Sequence, residues 1–159
     1  MYRTHNALTL LEILMVVVII ALVAVISIPS IIAVKKAANE GSAQTSLKTI
    51  VSSENLFREA DSDENEILDY GTLAGLSGQN LIDTSLGSGT KAGYTFRVQP
   101  SATSPTLLWF ATAQPTVPTK TGDRYFVTNQ AGVVFFTTGS AIPFDTITCA
   151  IPAGTRPVE

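Results

Sequence analysis

Residues 6–29 read NALTLLEILMVVVIIALVAVISIP. This stretch is apolar enough for a membrane yet carries one carboxylate, Glu12, near its start. No charged residue occurs from Ile13 to Val34. At about 1.5 Å rise per residue, a helix of that run can cross a hydrocarbon core of about 30 Å. A carboxylate inside a bilayer costs a few kcal/mol unless it snorkels to the interface or meets a positive group. Glu12 therefore calls for one of those two remedies.

The rest of the composition narrows the class. The chain has 159 residues, 45% hydrophobic and 14% charged, with a formal net charge of -3. Its length fits one domain. Surplus acid and the lack of a basic patch argue against direct nucleic-acid binding. Cys149 is the single cysteine, so neither an intrachain disulfide nor a thiolate cluster can form. Its simplest role is that of a small buried side chain.

MYRTHNA precedes the apolar run and carries Arg3. A secretory signal peptide would place its small-residue cleavage site after the apolar region, and Ala24, Ser27 and Ser30 could be offered for it. The run continues beyond them. An uncut signal anchor, basic end in the cytoplasm and C-terminal body outside, is the plainer alternative. A cut between Ala7 and Leu8 would instead leave an α-amine one helical turn before Glu12. Staggered helices could then match the amine of one copy with the carboxylate of another.

Ala7-Leu8-Thr9-Leu10-Leu11-Glu12, followed by the apolar run and Pro29, resembles the class III signal of type IV prepilins and the related pseudopilins. The resemblance covers about the first fifty residues. It implies cleavage of the Ala7–Leu8 bond by a prepilin peptidase/methyltransferase, N-methylation of Leu8, and use of Glu12 in filament assembly. It places Pro29 at the family's proline, a site of helix kinking or local melting; proline also removes a backbone donor there. The chain departs from the family pattern in having Ala7 where Gly is usual, Leu8 where Phe is common and Ala21 where a helix Gly is frequent.

The helix is expected to continue past the apolar run. Residues 35–60 contain no proline, and Leu47, Ile50, Val51, Glu54 and Phe57 recur at helical spacing as one broad face. Such an amphipathic half covers a sheet. After it, the acid-rich stretch Asp61-Ser62-Asp63-Glu64-Asn65-Glu66 reads as a solvated, helix-ending loop. Asp61, Asp63, Asn65 and Asp69 follow part of an EF-hand spacing and are weak metal candidates. Glu66 stands where that loop needs Gly, and Thr72 where it needs a bidentate Glu. No metal or cofactor is expected. Leu73, Leu76, Leu81, Ile82 and Leu86 suggest a packed connection with one or two short helices.

Strand signals follow at Tyr94–Val98, Leu107–Ala113, Arg124–Thr128 and Val133–Thr137, with Asn129-Gln130-Ala131-Gly132 as a hairpin turn. Pro100, Pro105, Pro115 and Pro118 are expected in loops flanking the second strand. The expected architecture is α+β and type IV pilin-like: a long N-terminal helix packed on a three- or four-stranded antiparallel sheet. It divides into a leader (1–7), a transmembrane and filament-core half-helix (8–34), an amphipathic half-helix (35–60), a connecting loop (61–92), the sheet (93–140) and a C-terminal tail (141–159).

No catalytic constellation is visible. His5 falls in the leader, and the adjacent Asp123 and Arg124 read as an ordinary surface pair. The chain is expected to be the substrate of an enzyme and to have no catalytic activity of its own. Its expected function is that of a structural subunit of a type IV pilus-like filament. The alternatives are a type II secretion pseudopilin and an uncleaved membrane-anchored interaction module. The resemblance implies partners: further copies in a helical filament, other pilins, an inner-membrane assembly platform, and lipid before assembly. It also implies a single-pass inner-membrane location and then the cell surface, or the periplasm for a pseudopilus.

Overall fold

The computed structural model describes residues 9–158, without the side chains of 26–30. The leader and the Ala7–Leu8 bond lie outside the described residues, as does the Pro29 side chain. The chain divides into two units, Met1–Lys35 and Lys36–Glu159. Helix α1, Leu10–Glu59, contributes to both.

In the first unit, α1 opens on Thr9, whose hydroxyl accepts the Glu12 amide at 3.2 Å, while its carbonyl accepts the Ile13 amide at 3.2 Å. Described side chains from Leu10 to Val25 are exposed. Among the described residues no helix is long and apolar enough to cross a membrane; residues 26–30 fall outside that statement.

The second unit is α+β. Its part of α1 buries Ala43, Leu47, Ile50, Glu54 and Phe57, a spacing that lines up one face. The helix ends in a Schellman arrangement: the Ser62 amide reaches Phe57 O at 3.1 Å, and Asp61 takes φ 45°. Two short helices follow. Helix α2, Leu73–Gly78, is capped by Thr72, and α3, Thr84–Gly87, by Asp83. The Ser53 hydroxyl donates to Leu81 O at 2.9 Å and ties their linker to α1.

The sheet is a six-stranded antiparallel meander in chain order: β1 Thr90–Lys91, β2 Tyr94–Pro100, β3 Trp109–Pro115, β4 Arg124–Asn129, β5 Phe135–Thr138 and β6 Arg156–Pro157. The expectation of three or four strands is thus corrected to six. The two additional strands are two residues long, too short to show alternation. The β1–β2 turn, Ala92-Gly93, has φ 48° and 73°, the mirror-image turn that suits strand twist. Pro100 and Pro115 are also corrected: they close β2 and β3 instead of lying in loops. At strand ends a missing donor disturbs the ladder least.

The sheet is covered on both faces. Tyr94, Phe96, Val98, Trp109, Ala111, Ala113 and Phe126 join α1, α2 and α3 in one core. On the opposite face Phe110 and Val127 meet Ile142 and Cys149 of the tail. The tail is anchored by the Asn129 side-chain amide, which donates to Cys149 O at 2.9 Å, and by the Ala102 amide on Thr146 O.

Candidate assembly surface

The described part of the first unit is a helix segment whose Leu11, Met15, Val18 and Leu22 face outward with their apolar side chains uncovered. Leu10 is 87% exposed and Val25 73%. Burying one such side chain contributes about 1.5–3 kcal/mol, so this surface has a large potential for association with lipid or protein.

Glu12 sits in the first turn of this helix and is exposed. Thr9-x-x-Glu12 has the spacing of a capping box, and half of that box, the Thr9 hydroxyl accepting the Glu12 amide, is present. The carboxylate also lies where the helix dipole favours negative charge. A role for Glu12 within one chain was therefore legible in four letters, and the apolar-run reading passed over it. Its proposed partner, the α-amine of a processed Leu8, lies outside the described residues.

In the second unit, the acid-rich segment after α1 uses its side chains on itself. Asp61 Oδ2 accepts the Glu66 amide at 3.0 Å, Asn65 Nδ2 donates to Asp63 Oδ2 at 2.8 Å, and Asn65 Oδ1 accepts the Ile67 amide at 2.7 Å. Asp69, partly desolvated and beside Asp63, is held above the usual carboxylate range. Among the described residues no group of acids, histidines or cysteines is arranged to hold a metal ion.

Asp123 and Arg124 turn out differently from an adjacent surface pair. Lys36 Nζ lies 3.1 Å from Asp123, and Arg124 Nε 3.4 Å from Glu40. Glu40 Oε1 also accepts the amides of Asp123 at 2.8 Å and Arg124 at 3.3 Å, fastening the start of β4 to α1. Each acts through a helix residue more than eighty positions away, a pairing that local spacing cannot reveal.

Glu54 was expected on the inner face of α1. The structure places it fully buried, with Oε2 accepting the Gly71 amide at 2.8 Å and Oε1 without a partner among the described residues. Loss of solvent, opposed by the Gly71 bond and reinforced by Asp69, raises its pKa to about 8. The Trp109 indole N–H, in the same core as α1, is likewise without an acceptor. Cys149 is 1% exposed, and burial pushes its thiol pKa up, so it is a packing residue with little thiolate character.

No family model matches the chain, and no curated protein or solved structure matches it either.

Proposed function

We propose that the chain is a prepilin whose processed form is a structural subunit of a type IV pilus-like filament. The observation that carries this reading is Glu12 in the first turn of a helix whose apolar side chains are exposed. Such a surface needs a cover. Lipid supplies one before assembly, and the same segment of neighbouring copies supplies one afterwards. In a filament the Leu8 α-amine of one copy compensates Glu12 of another; breaking a buried pair costs about 3–5 kcal/mol, because one charge stays behind. The α+β body, covered on both sheet faces, then forms the outer layer. This finer description of the fold as pilin-like rests on the same residues, and the chain has no catalytic step of its own in it.

The contact between Thr9 and the Glu12 amide favours a second reading. An uncleaved, membrane-anchored interaction module would keep residues 1–7 and use Glu12 only to start its helix. Intact-mass and N-terminal analysis of the protein from native membranes separates the two. N-methyl-Leu8 is expected from a filament subunit. Retention of MYRTHNA in cells with an active prepilin peptidase would overturn that assignment.

A further inference from the structure

The inner edge of the sheet carries a feature that filament assembly does not require. Strands β4, β5 and β6 bring Arg124, Phe136 and Arg156 towards Gln44 of α1. Phe136 pairs with Phe126 on one side and Arg156 on the other, while Arg124 lies two rows along β4. Together with Pro157 and Val158 these residues line a cleft of about 560 Å³. That volume falls in the range of small-molecule sites.

The cleft is lined by two arginines and by no acidic residue, in a chain whose net charge is negative. Arg124 is fixed in advance: its amide and Nε both meet Glu40, and its guanidinium lies 4.8 Å from the Phe136 ring centroid. Arg156 is exposed and has no acidic partner among the described residues. Its backbone is held at the sheet edge by pairing with Phe136, and Val158 N–H donates to Val134 O at 2.8 Å. Glu40 therefore engages Arg124, while the Arg156 guanidinium is left without a carboxylate among the described residues. A guanidinium's planar fork of donors matches the paired oxygens of a carboxylate or phosphate. Phe136, Pro157 and Val158 add an apolar wall.

We infer that the Gln44–Arg124–Arg156 cleft binds a carboxylate or phosphate group attached to an apolar body. The inference is independent of the filament reading, since every lining residue lies in Lys36–Glu159.

Titration of the full detergent-solubilised chain, followed by isothermal calorimetry, tests it with four probes: benzoate, phenyl phosphate, inorganic phosphate and benzyl alcohol. Saturable binding is expected for benzoate and phenyl phosphate at one site, at least tenfold weaker for inorganic phosphate, and none for benzyl alcohol. Arg156→Gln is expected to weaken phenyl phosphate at least tenfold with an unchanged circular dichroism spectrum. Lys120→Gln, an exposed charge removed elsewhere, is expected to leave binding unchanged. Full binding by Arg156→Gln, equal loss in Lys120→Gln, or no saturable binding of either aryl anion would overturn the site. Inorganic phosphate binding as tightly as phenyl phosphate, or benzyl alcohol as tightly as benzoate, would overturn the proposed ligand class.

Discussion

The Gly71 amide donates to Glu54 Oε2 across 2.8 Å, the one hydrogen bond held by this buried carboxyl group among the described residues. The bond joins the inner face of α1 to the segment that leads into α2. Its environment raises the Glu54 pKa from 4.5 to about 8. Between those values the folded chain keeps a proton that the unfolded chain gives up. The stabilising contribution is thus complete below about pH 4.5 and is lost as pH rises through 8. Glu54→Gln mimics the protonated form. It should match the parent protein near pH 4.5 and melt about 5 °C or more higher at pH 9, as read by thermal denaturation at both pH values. An equal melting shift at both would show that ionisation plays no part.

Thr9 and Glu12 give separable outcomes. Thr9→Ala removes the hydroxyl that accepts the Glu12 amide and should weaken the helix start by about 0.5–2 kcal/mol, while leaving incorporation into filaments nearly intact. On the proposed filament reading, Glu12→Ala should leave the Lys36–Glu159 unit folded and abolish incorporation. Immunoblots of sheared filaments, with whole-cell protein as reference, measure both. Normal fibres built from Glu12→Ala would remove the intersubunit pairing from the account.

Gly122 packs against Tyr94, whose hydroxyl donates to Arg124 O at 2.9 Å. A Cβ at Gly122 would come within 2.1 Å of that hydroxyl oxygen. Gly122→Ala must displace the ring from the core and should cost about 1–3 kcal/mol in denaturant unfolding. The double variant Gly122→Ala/Tyr94→Phe should recover part of that loss, since the clashing oxygen is gone.

Cys149 offers a probe of the tail. Buried and with its thiol pKa raised, it should resist iodoacetamide at pH 8 in the folded protein and react fully in denaturant. Mass spectrometry reads the added group. Rapid labelling without denaturant would mean that the tail leaves the sheet readily.

The amphipathic half of α1 was legible because Leu47, Ile50 and Phe57 repeat at helical spacing, and β2 and β4 because their residues alternate; β3 was legible as an apolar run and β5 from the turn that precedes it. The β6 pairing was not, because Arg156-Pro157 lies in a tail without periodicity and is fixed by register with Phe136. The second core was hidden for a related reason. Phe110 and Val127 look like ordinary strand residues until Ile142 and Cys149 cover them. Glu54 was placed on the right face of α1, but its isolation depends on the fold around Gly71. The cleft at Arg124 and Arg156 joins distant strands to α1, so neither arginine stood out alone.

The meander has a consequence for how the chain is made. Every strand pairs with the one synthesised immediately before it, so the sheet can grow hairpin by hairpin as the polypeptide emerges from the ribosome. The helix that will cover one face has emerged by then, whereas Ile142 and Cys149 arrive only after β5 is in place. For that interval Phe110 and Val127 lack the cover of Ile142 and Cys149, so this face of β3 and β4 completes its packing last.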